Sequence, residues 1–147
     1  MEYEYSFKVN SLDKYIKYCE NNSYEKISEK YEKVIILRNI NKTIARLTFD
    51  NEKIYLDFKE DKLSEEALIE RKETPKIVVD NYDNILKILE FLGYKEDNLI
   101  ERNRMVYKND FIIFELDSYF KPKTVSVVSL EGSKDITDKV YNEIKNI

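Results

Sequence analysis

The feature that most narrows the fold is a two-residue rhythm that returns along almost the whole chain. Between Glu2 and Val9, the residues Glu2, Glu4, Ser6 and Lys8 alternate with Tyr3, Tyr5, Phe7 and Val9. Successive side chains of a β-strand point to opposite faces, so this spacing predicts a strand that is polar on one side and apolar on the other. Further strands are predicted over Val34 to Ile40, Ile44 to Phe49, Lys53 to Lys59, Leu68 to Val79, Leu99 to Tyr107, Phe111 to Asp117 and Lys123 to Glu131. Asn41-Lys42 and Asp50-Asn51 supply turns between neighbours, and Pro75 marks an irregularity within its segment. Three stretches have helical spacing instead. The first follows Ser11, with Leu12, Tyr15, Ile16 and Cys19 on one face. The second begins at Asp80 or Asp83 and ends before Gly93, placed for a left-handed C-cap. The third begins near Asp135. The connections are too short for helical crossovers, so the chain reads as α+β with a mainly antiparallel sheet of about eight strands.

The scarce residues exclude several chemistries. The 147-residue chain has no His, one Cys, two Gly and two Pro. Without His there is no Ser-His-Asp triad and no imidazole metal ligand. Gly93 and Gly132 alone cannot build a glycine-rich phosphate loop, so an anion site must come from side chains. Any metal site must use oxygen ligands, which suits Mg²⁺, Mn²⁺ or Ca²⁺. A net charge of −4 does not favour a general grip on duplex nucleic acid. No apolar run approaches the roughly 20 residues of a membrane span, and no secretory signal pattern opens the chain. The expectation is a single domain over residues 1–147, cytoplasmic and not membrane-bound, with Cys19 a packing residue.

The polar strand faces carry the chemistry. Arg46 and Thr48 share a face, as do Tyr55, Asp57 and Lys59, Arg71 and Glu73, Arg102 and Arg104, Glu115 and Asp117, and Ser129 and Glu131. The wet face of any antiparallel sheet carries charges at alternate positions, so alternation alone does not define a site. The runs of Lys and Glu at 25–33 and 59–66 read as solvated. If the sheet closes, the polar face becomes a lumen. Converging carboxylates would then raise one another's pKa unless a cation sat among them, and facing Arg and Lys rows would need an anion. A lumen with both is a site for a metal-chelated polyphosphate.

The order of short motifs along the chain resembles the CYTH family, the triphosphate tunnel metalloenzymes. Glu2-Tyr3-Glu4 is similar to the start of that family's ExExK signature. Ala45-Arg46-Leu47-Thr48 resembles its Arg-bearing strand, and Leu56-Asp57-Phe58-Lys59 its Leu-Thr-x-Lys strand. Ile69 to Glu73 resembles its Arg-x-Glu segment, Arg102 to Tyr107 its basic-x-Arg-x-x-Tyr strand, and Phe114 to Asp117 its Asp-ending strand. The resemblance implies an eight-stranded, closed antiparallel β-barrel with flanking helices that binds triphosphate in its tunnel. It implies metal-side carboxylates at Glu2, Glu4, Glu73, Asp117 and Glu131, with Glu2 and Glu4 catalytic. It implies phosphate-side cations at Arg46, Lys59, Arg71, Arg102 and Arg104, with Lys8 in reserve, and Mg²⁺ or Mn²⁺ as cofactor. Ser6 stands where the signature has Lys, Thr74-Pro75 where a second Glu is common, and Ser129 where many members have Glu.

The activity so implied is metal-dependent hydrolysis of a triphosphate: a nucleotide, inorganic triphosphate, thiamine triphosphate or an RNA 5′ end. Phosphoryl transfer needs positioning and charge neutralisation more than covalent chemistry, so the lack of His is no obstacle. The alternatives are a class IV-type adenylate cyclase, a binding module that holds a nucleotide or polyphosphate without turnover, and a barrel with a structural role only.

Overall fold

The computed structural model describes residues 2–51, 53–60 and 68–147, with the backbone alone described for Glu2 and for Leu68–Arg71. Nine strands and three helices follow one another as β1 (Glu2–Val9), α1 (Asp13–Asn21), β2 (Glu25–Arg38), β3 (Thr43–Asp50), β4 (Lys53–Glu60), β5 (Leu68–Arg71), β6 (Ile77–Val79), α2 (Tyr82–Phe91), β7 (Lys95–Lys108), β8 (Ile112–Lys121), β9 (Val125–Gly132) and α3 (Lys134–Ile144). All nine strands form one sheet in the order β5-β1-β9-β8-β7-β2-β3-β4-β6. Each of its ladders is antiparallel.

The strand count departs from eight because the predicted segment Leu68 to Val79 is divided. Pro75 has no N–H to donate and interrupts the run, leaving β5 and β6 as separate strands. β2 and β7 are also longer than the periodicity suggested. Residues 25–33, read as solvated, are mostly exposed and form the first half of β2, paired with β7 from Glu25↔Lys108 to Lys33↔Glu101. Most of these side chains are exposed on both faces, so no polar–apolar alternation marks the strand. The companion run at 59–66 lies largely outside the described residues, Lys59 and Glu60 closing β4.

The ladders do not close the sheet on themselves: their order ends at β5 on one side and β6 on the other. The run that carries β5 nevertheless touches both margins. Its first part pairs with β1, with Glu2 opposite Arg71. Its continuation meets β4: Glu60 N–H donates to the Lys72 carbonyl (3.1 Å) and Thr74 N–H to the Phe58 carbonyl (2.9 Å). The Thr74 hydroxyl in turn accepts from Phe58 N–H at 2.9 Å, and Lys59 and Glu73 form an isolated bridge.

The outward strand residues build two cores beneath the helices. Leu12, Tyr15 and Cys19 of α1 and Val140 and Ile144 of α3 pack with Phe114, Leu116, Val128 and Leu130, joined at the edge by Tyr5, Phe7 and Val9. On the other flank, Leu89 of α2 and Tyr94 pack with Leu37, Ala45, Leu47 and Leu56. Gly93 ends α2 as the sequence predicts, but that helix starts from Asn81 and not from Asp80 or Asp83, and α1 follows Leu12, which offers no side-chain cap. The Asn81 side chain caps α2 by accepting from Asn84 N–H, and Gly93 follows that helix at φ +88°, a conformation that favours glycine. Cys19 is buried and burial pushes its thiol up to about 12, which makes it a packing group. No described helix is long and apolar enough to cross a membrane.

Phe114 is fully buried and touches the rings of Tyr18 and Tyr24. Phe114→Ala is expected to lower unfolding stability by about 3–5 kcal/mol, read as a reduced urea midpoint at unchanged slope.

Candidate functional site: an arginine and carboxylate cavity on the inner face of the sheet

With the apolar side of each strand spent on the two cores, the other side faces a common interior. A cavity of about 380 Å³ gathers side chains from seven strands and from the segment after β5. Its cations are Arg46 (β3), Lys59 (β4), Lys76, and Arg102 and Arg104 (β7). Its carboxylates are Glu4 (β1), Asp57 (β4), Glu73, Glu115 (β8) and Glu131 (β9). Val34, Ile36 and Ile100 form an apolar patch in the same wall, reinforced by Ile44. A second cavity of about 280 Å³ adjoins it through the shared residues Thr48, Lys76, Arg104 and Glu115, and adds Ser28, Lys30, Glu32, Asp50 and Tyr55.

The arginines are held by the register of the sheet. Arg46 faces Asp57 across the β3–β4 ladder, Arg102 faces Glu32 across β2–β7, and Arg104 faces Asp117 across β7–β8. Each facing pair makes an ion pair. Arg46 Nε donates to Asp57 Oδ1 at 3.1 Å, and its Nη2 donates to Asp57 Oδ2. Arg102 Nε donates to Glu32 Oε1 at 3.0 Å. Arg104 donates from Nε to Asp117 Oδ1 at 2.8 Å and from Nη2 to Oδ2 at 2.9 Å. Its remaining nitrogen, Nη1, lies 2.7 Å from Glu115 Oε2. Tyr119 joins this group, its hydroxyl donating to Asp117 Oδ2 at 3.5 Å and accepting from Arg102 Nη1 at 3.4 Å. Asp57 and Asp117 are almost wholly buried, at 3% and 1% exposure, so these charges depend on each other for solvation.

Arg104 is the hub of the network. Burial works against its charge, but Glu115, Asp117 and Glu32 outweigh burial and hold its pKa well above the ordinary arginine value. Arg46 behaves alike, burial being outweighed chiefly by Asp57. Burial alone would raise Glu115, yet Arg104 and a hydrogen bond from Glu131 bring it below the usual carboxylate range. The cost falls on Glu131, which burial, then Glu115, and then Glu4 and Glu73 push up to about 9. The pair therefore shares one proton at neutral pH, held by Glu131 and donated toward the Glu115 carboxylate.

The cavity brings together Glu4, Arg46, Lys59, Glu73, Arg102, Arg104 and Glu131 of the residues singled out from the sequence. Lys8 and Asp117 stand apart from it. Lys8 is exposed, beyond Ser6 on the inner side of β1, and is not among the described lining residues. It neighbours Lys123, which by hydrogen bond and charge holds its pKa below the ordinary lysine value. Asp117, read as a metal-side carboxylate, has both oxygens engaged by Arg104 and is not among the lining residues; Glu115 lines the cavity in its place. The side chains of Glu2 and Arg71 lie outside the described residues. Reasoning from the sequence missed Glu32, Asp57, Glu115 and Lys76 as site residues. The first was hidden in a charge run, and the next two were placed on the inward face but given no role. Lys76 follows the proline that breaks its strand.

The departures from the family signature have a structural counterpart. Ser6 and Ser129 face each other in the β1–β9 register, and their hydroxyls are 3.1 Å apart. Two positions where the family places Lys and Glu thus hold a neutral pair, and the exchange leaves the net charge of the site unaltered. Thr74 is engaged in the bonds to β4 described above.

The donor set that remains suits a hard divalent cation. Glu4, Glu73, Glu115 and Glu131 offer only carboxylate oxygens, and their mutual repulsion, expressed in the raised Glu131, is what an ion among them would relieve. Among the described residues, however, no group of three or more such side chains is close enough to hold an ion unaided. Further oxygens must come from water or from a bound anion, the usual situation for Mg²⁺ beside phosphates.

Neither a protein-family profile nor a curated protein sequence matches this chain. Solved structures do. The PH1012 protein of Pyrococcus horikoshii OT3 superposes with a TM-score of 0.80 at 20% identity, over 97% of this chain and 88% of that one. The Hippeastrum protein HpAC1, named for adenylyl cyclase and described as having a dominant triphosphatase activity, superposes at 0.69 and 16% identity over 97% and 85%. The Mimivirus capping enzyme triphosphatase does so at 0.58 and 16% over 99% and 87%. CYTH-like proteins are among these structural neighbours, and the chain shares their antiparallel α+β fold, while the closed barrel that the resemblance implied is not formed by the described ladders.

The raised Glu131 has a measurable consequence. Its unfolded-state value is near 4.5, so between about pH 5 and 9 the folded protein keeps a proton that the unfolded chain has lost. Stability is favoured below that window and falls as pH rises through it. In metal-free protein, Glu131→Gln is expected to flatten this decline, read by thermal melts across that range. An unchanged slope would show that Glu131 is not the protonated partner.

Proposed function

We propose that this chain binds a triphosphate in the inner cavity and hydrolyses it with the help of Mg²⁺ or Mn²⁺. One observation carries the reading: Arg46, Lys59, Lys76, Arg102 and Arg104 line the same cavity as Glu4, Glu73, Glu115 and Glu131. With Asp57 these are ten ionisable side chains on one cavity; the arginines pair with carboxylates, but the crowding leaves a proton on Glu131 that a divalent cation would replace. The described lining has as many carboxylates as cations, so a polyanion alone would bring excess negative charge. A polyanion with a divalent cation meets both halves of the wall. The contacts between residues 72–74 and β4 support a wall that wraps fully into a tunnel. The fold shared with HpAC1 and the Mimivirus enzyme supports triphosphate as the ligand class.

In this reading Lys59, Lys76 and the outward nitrogens of Arg46 and Arg102 hold the phosphates. Glu4 and Glu131, flanked by Glu73 and Glu115, would hold the cation. When bound, the ion supplies charge neutralisation at the phosphates. Hydrolysis then rests on in-line positioning in a site of restricted water, the part of the work that side chains alone can do. A binding module without turnover is the second reading. It is favoured by the neutral Ser6–Ser129 pair, which thins the charged wall beside Glu4 and Glu131.

Incubation with ATP, GTP, inorganic triphosphate and thiamine triphosphate, each with Mg²⁺ or Mn²⁺, is expected to release orthophosphate from at least one. Cyclic nucleotide would indicate a cyclase, and calorimetric binding without product a binding module. Lys76→Ala is expected to weaken triphosphate binding several-fold, on the order of 1 kcal/mol, with an unchanged melting temperature because the side chain is exposed. Glu4→Gln is expected to abolish metal-stimulated turnover. Full activity in that variant would remove Glu4 from the ion site.

A further inference from the structure

The three arginine–carboxylate pairs share a geometry that simple neutralisation does not require. In each, the carboxylate is the direct register partner of the arginine on a neighbouring strand, and in each it takes the Nε nitrogen, the one nearest the stem. A guanidinium is planar and rigid, so fixing its Nε edge fixes the plane and the direction of the distal nitrogens. The opposing Cβ atoms of register partners lie only about 5 Å apart, so a short Asp reaches the near edge of the long Arg and leaves the far edge beyond it. Arg46 and Arg104 are both gripped in this way, on Nε and Nη2, with Nη1 left to point onward. In Arg102 the onward nitrogen Nη1 reaches the Tyr119 hydroxyl, itself part of the cavity wall.

We propose that Asp57 and Glu32 are positioning residues that aim Arg46 and Arg102 at the ligand, and that Asp117 does the same for Arg104 toward Glu115. The inference rests on the triphosphate reading above, because that reading supplies the ligand at which the two lumen arginines are aimed. The sign of its effect separates it from electrostatics. A carboxylate beside an arginine repels an incoming polyanion, so if charge were its only role, removing it would tighten binding. If it positions the arginine, removing it weakens binding although a negative charge has gone. An isosteric amide separates the two further, since its oxygen still accepts from Nε while the charge is lost.

The test compares the full chain with Asp57→Ala and Asp57→Asn by titration with tripolyphosphate and Mg²⁺. Asp57→Ala is expected to bind about tenfold or more weakly than the unsubstituted protein, with Asp57→Asn restoring part of the loss, since its oxygen accepts from Nε while its NH2 cannot accept from Nη2. Equal or tighter binding by Asp57→Ala overturns the proposal. The Arg46 Nε–H resonance, followed by NMR without ligand, is a second readout. It is expected to exchange slowly in the unsubstituted protein and in Asp57→Asn, and to lose protection in Asp57→Ala. Protection retained in Asp57→Ala shows that Asp57 does not hold the arginine and equally overturns the proposal. If the unsubstituted protein gives no heat with tripolyphosphate, the triphosphate reading fails, and the resonance still reports whether the fork exists. Where Asp57→Ala does not fold, Glu32→Ala and Glu32→Gln make the same comparison at Arg102. Collapse of both alanine variants would mean that the pairs are architectural, against the proposal.

Discussion

The structure depends on how charge is kept inside a curved sheet. A strand with one apolar face must bury that face, and here two helices on one flank and a third on the other take it up. The opposite face is then turned inward with its charges, where Asp57, Asp117, Glu32 and Arg102 are buried away from bulk water. Each inward arginine of β3 and β7 is compensated by a carboxylate directly across a ladder, so the register that pairs the backbones also pairs the charges. A one-residue slip in any of these ladders would turn the charged residue of the slipped strand toward an apolar core and leave its partner on the inner face unpaired. The ion pairs therefore act against wrong registers as much as they stabilise the right one, and this is the role for which buried pairs are best suited.

Most of the inward face was legible in the sequence because alternation needs no tertiary knowledge. Once Tyr5, Phe7 and Val9 are read as core, Glu4 and Ser6 must point the other way, and the same logic places Arg46, Asp57, Lys59, Arg102, Arg104, Glu115 and Glu131. What alternation cannot show is who stands opposite whom. Asp117 and Glu115 share a face of β8, and nothing within that strand says which is spent on an arginine. The β7–β8 register decides it: Asp117 faces Arg104 and takes two of its nitrogens, while Glu115 faces Val106 and meets Arg104 only through Nη1, on the cavity wall. The amphipathic rule also fails where both faces are wet. Residues 25–33 and 95–98 carry charges on both sides, so the outer halves of β2 and β7 had no visible period, and Glu32 was lost among its neighbours although it is buried in the fold. Lys76 was missed for another reason. A proline break moves the chain between two strands, and such a segment has no face to assign.

The serine pair shows why single positions of a signature are poor guides to a site. Read one at a time, Ser6 and Ser129 are two losses, one cationic and one anionic. In the sheet they are register partners in hydroxyl contact, and together they form one neutral substitution. Replacing a paired Lys and Glu by two hydroxyls removes desolvation cost and Coulombic gain together, so the remaining network need not rearrange. The charge balance of the cavity is preserved, while the wall beside Glu4 and Glu131 becomes smaller and less polar.

That balance also fixes the order in which the site can be filled. Arg104 holds Glu115 ionised by direct contact, and the carboxylate repulsion is then concentrated on Glu131, which keeps a proton. The cavity without ligand is therefore internally satisfied: its arginines are paired and its most crowded carboxylate is neutral. A polyanion by itself would have to compete with Asp57, Glu32 and Asp117 for the guanidinium groups. A cation by itself would have to displace the Glu131 proton without the further oxygens its coordination needs, since the described carboxylates do not form a complete cage. Each ligand supplies what the other lacks, charge relief in one direction and oxygen donors in the other. In the proposed reading, an interior built this way disfavours either ligand alone and favours a polyphosphate that carries its own divalent cation.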